Sequence, residues 1–188
     1  MASRTGQSPS RFVFSTKLEN FFFINRHLFL SSFSIIEKKG NGGRAVARYW
    51  IYLFHDDVAY SYYDQAEKIV QLLREYQYQP TLKSVCRKQI EFITEKLSFS
   101  RLELGLKEHF VGTVEKNLER NMFVLREKSE EALIIVQKRR LLLACDYPSL
   151  TERIFQTFSH ISPFFFAVDL YFHHYQWLLP VADERKFA

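Results

Sequence analysis

Hydrophobic residues return every three or four positions through the middle of the chain, over residues 100–145. This spacing is typical of one face of an α-helix, and no proline interrupts the segment. Roughly forty residues at about 1.5 Å each predict a rod of roughly 60 Å, which is longer than an ordinary small domain. The stripe comprises Leu102, Leu106, Phe110, Val114, Leu118, Met122, Leu125, Ala132 and Val136. We therefore expect one long helix around which the rest of the chain is arranged.

Two shorter amphipathic segments precede this rod, at residues 56–78 and 81–99. Asp56 or Asp57 suits the N-cap of the first, and Pro80 separates the two. Because the link between them is short, we expect an antiparallel helical hairpin. Its predicted inner faces consist of Tyr62, Ala66, Ile69, Leu72, Leu73 and Tyr76, and of Leu82, Val85, Cys86, Ile90, Ile93 and Leu97.

Two shorter helices are predicted at the C-terminal end. Ser149 and Glu152 have the capping-box spacing and start a helix over residues 149–160. Pro163 suits the first position of a final helix over residues 163–179. The predicted fold class is therefore mainly α: a helical hairpin, one long helix and two shorter C-terminal helices, with an extended or partly β N-terminal arm.

The first 54 residues are less helical in pattern, with aromatic and β-branched runs between polar residues. The tetrapeptide at residues 40–43 is Gly-Asn-Gly-Gly, which favours a turn because Gly and Asn tolerate positive φ. Strands at residues 34–38 and 45–50 would then form a hairpin. The alternative is an extended arm and a short helix that meet at a glycine-rich loop. We divide the chain into a basic aromatic arm, residues 1–54, and a helical domain, residues 55–188.

Positive charge is concentrated at the N-terminal end. The net charge is +5, yet residues 1–55 hold eight Lys or Arg against two Glu, and the remaining residues hold 18 basic and 19 acidic groups. No acidic residue precedes Glu19, a composition that matches an organelle transit peptide as well as a plain basic extension. Such an arm favours contact with phosphate, an anionic membrane surface or import machinery.

Aromatic residues make up 16% of the chain and are clustered. Because aromatic side chains dominate interfaces as well as cores, we expect these clusters to face a partner or lipid. The residues predicted to bind a partner are Phe21, Phe22, Phe23, Arg26, Trp50, Phe164, Phe165, Phe166, Tyr175 and Trp177.

The two cysteines, Cys86 and Cys145, lie far apart and lack a CxxC partner, so we expect reduced, buried thiols. No stretch reaches eighteen uninterrupted apolar residues, which argues against a conventional transmembrane helix. Residues 161–179 come nearest, but they carry Asp169 and two histidines. We expect them to pack against protein or to lie at a membrane surface.

One dipeptide carries candidate chemistry. His55-Asp56 resembles the His-Asp doublet of the HD metal-dependent phosphohydrolases, an all-α family in which further His and Asp ligands complete a divalent-metal site. The resemblance implies an upstream His and a downstream Asp, for which His27 and Asp146 or Asp169 are available. The alternative is that His55 and Asp57 only begin a helix.

A second group combines Asp169 with His173 and His174, because residues four apart share a helical face. Asp169 and His173 alone would leave a metal site incomplete. We therefore favour the interpretation that these histidines lie at an interface. No Gly-flanked serine or Cys–His arrangement predicts a nucleophile, and no RNA-recognition, zinc-finger or homeodomain motif is present. We predict no cofactor and no metal.

These patterns favour a non-catalytic accessory or scaffold subunit of a larger organellar assembly. Its host would be a membrane-associated respiratory or ATP-synthase-type complex, in the mitochondrion or another organelle. Its partners would be other protein subunits, with membrane-surface or lipid contact as an addition and nucleic acid as the weaker option. Two alternatives stay open: an RNA-contacting subunit of an organellar ribosome, and an HD-type phosphohydrolase.

Overall fold

The computed structural model describes residues 47–179, which fold around one antiparallel sheet of seven strands. The strand order is β2-β3-β4-β5-β1-β6-β7, so the first strand in the chain lies near the middle of the sheet. The strands are β1 Ala47–Leu53, β2 Thr113–Asn117, β3 Met122–Glu127, β4 Glu130–Val136, β5 Leu141–Cys145, β6 Phe165–Asp169 and β7 Tyr175–Trp177.

Five α-helices accompany the strands within this part of the chain. They are α1 Asp56–Tyr62, α2 Ala66–Tyr78, α3 Lys83–Ile93, α4 Phe99–His109 and α5 Pro148–Ile161. A short 3-10 turn, Tyr63–Gln65, joins α1 to α2. Four of the five helices lie between β1 and β2, so the chain leaves the centre of the sheet, builds most of its helices and returns at one edge.

The central strands are buried on both faces of the sheet. All five residues of β5 are buried, as are the last four of β1 and the first four of β6. The register sets Ile51 opposite Leu141 on one side and Ala167 on the other. Because successive side chains of a strand point to opposite faces, each of these strands requires an apolar layer above and below it.

One face of the sheet packs against α4 and α5 and holds the main core. Phe158 of α5 contacts Phe165 of β6, with ring centroids 5.0 Å apart, and Tyr49 meets Phe155 edge-on at 5.1 Å. The two helices approach closely at Gly105, where an added Cβ would lie 2.5 Å from Cγ1 of Ile161. Each fully buried Phe or Leu side chain in this layer contributes about 1.5–3 kcal/mol.

The other face is covered at its β1-β6-β7 end by α1, α2 and α3. Tyr175 of β7 donates a hydrogen bond to Glu67 of α2 at 3.1 Å, and Arg74 of α2 donates to the Phe172 carbonyl at 2.9 Å. These helices bury a small set of apolar side chains: Ala59, Ile69, Val70, Leu73, Cys86 and Ile90. They therefore form a second layer over the β1-β6-β7 end of the sheet.

The prediction of a mainly α fold with one long helix is wrong. Only α4 forms at the start of residues 100–145, and the remainder is β2 to β5. Asn121 and Lys128, at φ 48° and 54°, turn the chain between successive strands. The residues that face the core, such as Phe123, Leu125 and Ile134, follow the period of two that strands require. Short turns interrupt the alternation of apolar and polar residues from one strand to the next. Across the whole segment, apolar residues therefore recur at spacings of three or four, which resemble the period of a helix.

The expected final helix over residues 163–179 is also wrong, because this segment forms β6 and β7. The expected hairpin falls partly outside the described residues, which exclude residues 34–38. The second strand of the expected hairpin, residues 45–50, overlaps β1. From Tyr49 onward, β1 pairs with β5 on one edge and with β6 on the other. Helices are present on either side of Pro80, but the 3-10 turn divides the expected helix over residues 56–78 into α1 and α2, and the helix expected to reach residue 99 ends at Ile93. The helix expected over residues 149–160 is α5, which begins at Pro148 and has no side-chain cap, so the expected capping box does not form. Cys86 and Cys145 are free and buried, as predicted, and burial raises the pKa of the Cys145 thiol.

Gly112 occupies the connection between α4 and β2 and cannot carry a side chain without strain. Its φ of 154° is one that L-residues rarely adopt, and an added Cβ would collide with the carbonyl oxygen of Arg126. We expect Gly112→Ala to lower the free energy of unfolding by about 2 kcal/mol or more, measured by urea denaturation. The control is Val111→Ala, because Val111 is 78% exposed and its loss should change stability by less than about 0.5 kcal/mol. Equal stabilities of the two variants would contradict this account.

Candidate protein-binding groove

The outer surface of the α1–α3 layer carries a groove of about 600 Å³ between its helices. α2 and α3 are consecutive and pack against each other, joined by the short link at residues 79–82. The lining residues are Val58, Tyr62, Lys68, Ile69, Gln71, Leu72, Glu75, Lys88, Gln89, Phe92 and Ile93. On α2 and on α3 they recur at helical spacing, so each helix presents one continuous strip to the groove.

The floor of the groove is apolar, and one wall exposes a large aromatic ring. Ile69 is only 3% exposed, whereas Phe92 is 79% exposed and Tyr62 is 38% exposed. Val85, on the same helix as Phe92, is also largely exposed, as is Tyr60 on α1. Large apolar side chains exposed around a groove mark an interaction site more often than isolated exposed residues do. The groove therefore has the composition of a protein-binding surface.

The polar side chains of the groove are arranged along its rim. Gln71 donates a hydrogen bond to the Glu75 carboxylate at 2.9 Å, and Lys68 donates to the Gln65 side-chain carbonyl at 2.5 Å. Lys88 and Gln89 have no side-chain hydrogen bond or ion pair within residues 47–179. These two groups are available to a bound partner.

The groove rests on a rigid aromatic support. Phe54 at the end of β1 meets Phe166 and Trp177 edge-on, at centroid distances of 5.9 and 5.4 Å. Tyr63, next to the groove residue Tyr62, stacks on Trp177 at 6.5 Å. Backbone hydrogen bonds from His55 to the Ile93 carbonyl and from Glu95 to the Leu53 carbonyl join the end of α3 to β1. The groove helices are therefore fixed to the central strand rather than to a mobile loop.

The turn between β6 and β7 contacts α2 through hydrogen bonds. Asp169 accepts hydrogen bonds from the backbone N–H groups of Tyr171 and His173, at 3.1 and 2.8 Å. Phe172 has a positive φ of 60°, and its carbonyl accepts the bond from Arg74. Partial desolvation, followed by the bond to the Glu67 carboxylate, raises the pKa of Tyr175. The predicted Asp169–His173–His174 group thus forms a hydrogen-bonded turn.

The residues predicted from sequence to bind a partner lie in several environments. Phe21, Phe22, Phe23 and Arg26 lie outside the described residues. Trp50, Phe165 and Phe166 are buried in the sheet, with the Arg140 guanidinium over the Trp50 ring at 3.8 Å. Phe164, Tyr175 and Trp177 are half-buried. None of these six described residues lines the groove, although Trp177 supports it from below.

The structure places the HD-like doublet at the start of α1. His55 lies 4.0 Å from the Glu95 carboxylate, and the Asp56 carboxylate accepts a hydrogen bond from the backbone of Asp57. Across residues 47–179, no three His, Cys, Asp or Glu side chains are grouped so that they could hold a metal ion. The described residues, which exclude His27, therefore do not assemble the ligand set that the HD resemblance implies.

Sequence reasoning placed much of the groove on the wrong side of its helices. Tyr62, Leu72 and Ile93 were expected on inner faces, yet they line the groove. Phe92 and Lys88 were not singled out at all. The available signal was an excess of apolar residues: α2 and α3 each carry more of them than one buried stripe requires.

None of the helices within residues 47–179 has both the length and the hydropathy of a membrane span.

Fold and site together define a class of protein: an α+β domain with one antiparallel sheet, helices on both faces and a largely apolar groove on the α1–α3 layer. A family model described as "Sporulation inhibitor of replication protein SirA" matches residues 47–182. The chain belongs to this family. A search of curated proteins finds no relative that matches the chain.

The family corrects the predictions of function and location. It points to a bacterial replication-control function, so the predicted role as an accessory subunit of a respiratory, ATP-synthase-type or ribosomal organellar complex is wrong. A bacterial family likewise argues against the predicted mitochondrial or other organellar location. The acid-free N-terminal composition that suggested a transit peptide occurs in any short basic extension, which is why it misled.

The groove predicts a sharp contrast between two neighbouring apolar residues. We expect Phe92→Ala to change the free energy of unfolding by less than about 0.5 kcal/mol, because the ring is 79% exposed. Ile69→Ala should cost about 2–4 kcal/mol, because Ile69 is 3% exposed and its loss leaves a cavity. Denaturant unfolding of both variants measures the difference. A large loss of stability in Phe92→Ala would show that the ring serves the fold rather than a partner.

Proposed function

We propose that this chain restrains bacterial chromosome replication during sporulation by holding a protein of the replication machinery in the α1–α3 groove. The family description supports the process, and the groove supports the means. The observation that carries the proposal is Phe92, an aromatic ring that stands 79% exposed on the wall of an apolar groove. Exposing such a ring to water is unfavourable unless a partner covers it.

The shape of the groove favours an α-helix as the bound element. Its lining follows α2 from Lys68 to Glu75 and α3 from Lys88 to Ile93, about two helical turns on each. A groove between two helices accepts the apolar face of an amphipathic helix, which contributes side chains at positions i, i+3, i+4 and i+7. Because the groove helices are anchored to β1, little ordering free energy is lost on binding.

The lining supports binding rather than catalysis. Its polar groups are two ammonium groups, one carboxylate, two carboxamides and the Tyr62 phenol, and it has no histidine, cysteine or serine. A binding protein needs only complementary shape and charge, whereas a hydrolase needs a nucleophile or an activated water. We therefore propose that control is exerted by occupying a surface of the partner protein.

The test expresses the full chain in a sporulating bacterium and measures the ratio of origin to terminus DNA by sequencing read depth. We expect the wild-type chain to lower this ratio toward one, and we expect Phe92→Ala to abolish most of the effect. Leu104→Ala is the matched control, because Leu104 is 68% exposed on α4, a helix of the opposite face. It should act like wild type.

Two results would contradict the proposal in different ways. An unchanged ratio with the wild-type chain, at a protein level confirmed by immunoblot, would refute replication control. Full activity of Phe92→Ala together with loss of activity in Leu104→Ala would move the binding surface to the opposite face.

A further inference from the structure

We infer that the helix held in the groove carries a carboxylate that pairs with Lys88, one helical turn from the apolar residue that contacts Phe92. This inference rests on the proposed function and adds the chemistry of the partner. Lys88 and Phe92 are four residues apart on α3, so they are neighbours on one face of the helix, and both line the groove. A helix lying against this face meets both groups together.

The groove has more positive than negative charge. Lys68 and Lys88 contribute two ammonium groups to the lining, and Glu75 contributes one carboxylate. The Glu75 carboxylate accepts its hydrogen bond from Gln71, at 2.9 Å. No ion pair joins Glu75 to Lys88 or Lys68 within residues 47–179.

The remaining acidic group near Lys88 on its own helix is already engaged. Glu91 lies three residues beyond Lys88, but it pairs with Arg87, whose Nε is 3.0 Å from the carboxylate. The hydrogen bond from Arg87 is the main reason that the pKa of Glu91 is lowered, with further contributions from Arg87, Arg139 and Lys138 charges. Lys88 is thus left as an exposed ammonium group that no described carboxylate neutralises.

Covering the groove with an apolar helix removes water from Lys88. An ammonium group that loses its hydration without gaining a partner opposes binding, whereas a carboxylate placed opposite it restores the lost interaction. The same charge rejects helices that carry Lys or Arg at that position, so Lys88 acts as a specificity-determining residue. The occupant is therefore an amphipathic helix with apolar residues for the floor and Asp or Glu on the flank that faces α3.

The experiment selects binders from a phage-displayed library of amphipathic helical peptides against the purified full chain. The wild-type chain, Lys88→Glu, Lys88→Gln and Phe92→Ala are the baits, with Lys138→Glu as control. Lys138 is an exposed lysine in the β4–β5 turn, outside the groove lining. Because Lys88 and Lys138 are both exposed, circular dichroism should show the same fold for all variants.

We expect the wild-type binders to be enriched in Asp or Glu at one fixed distance from their apolar residues. Lys88→Glu should reverse this preference to Lys or Arg, and Lys138→Glu should leave it unchanged. A selected acidic peptide should bind Lys88→Gln about tenfold more weakly than wild type, with less dependence on salt, by fluorescence anisotropy.

Each other outcome has a distinct meaning. Binders that require Phe92 but show no charge preference would overturn the role of Lys88 and leave the groove as a docking site. Binders that are unaffected by Phe92→Ala would instead refute the groove itself, and with it the binding mode in the proposed function.

Discussion

The structure depends on the burial of β5, β1 and β6 from both sides. A strand with apolar side chains on both faces is stable only between two layers, and α4 and α5 supply just one of them. The helices α1, α2 and α3 cover the other face at its β1-β6-β7 end, so they support the sheet there as well as forming the groove. Their attachment to β1 through the His55 and Glu95 backbone hydrogen bonds couples the groove directly to the centre of the sheet.

The groove exists because two short helices carry apolar residues on more than one side. In α2, Leu73 is buried, Ile69 is buried at the floor of the groove, and Leu72 also lines the groove. In α3, Ile90 is buried, while Phe92 and Ile93 line the groove. A purely structural helix would place polar residues at these outer positions, because exposed apolar area adds nothing to folding. The surplus is consistent with a surface that is completed by a partner. Exposed groove residues such as Phe92 can therefore change without disturbing the buried stripe, whereas Ile69 belongs to both the stripe and the groove floor.

A preformed groove is suited to an inhibitor that acts by occupancy. In the proposed binding mode, a surface whose helices are already hydrogen-bonded to the sheet lowers the ordering cost, so a few apolar contacts and charge matching at the rim would supply the affinity. Lys88 contributes little to the fold, since its side chain has no ion pair within the described residues, and this leaves it available for partner recognition. Of the two faces of the sheet, one is covered by α4 and α5, which close the main core, and the other by α1 to α3, which also present the groove.

The sequence by itself determined several local features: helices on either side of Pro80, a helix near residues 149–160, the two isolated thiols and the surplus of apolar residues on α2 and α3. These follow from short-range periodicity and from the positions of the prolines, whereas the expected capping residues are not the N-caps. It did not determine whether residues 110–145 form helix or strands, because spacings of three or four residues also arise when short strands alternate with tight turns. Only long-range pairing decides that question: β5 becomes a strand because β1 and β4 bind its two edges. The same pairing decides which side of α2 and α3 faces the sheet and which side faces water. The groove therefore became identifiable only from the tertiary structure, which shows the buried face of each helix.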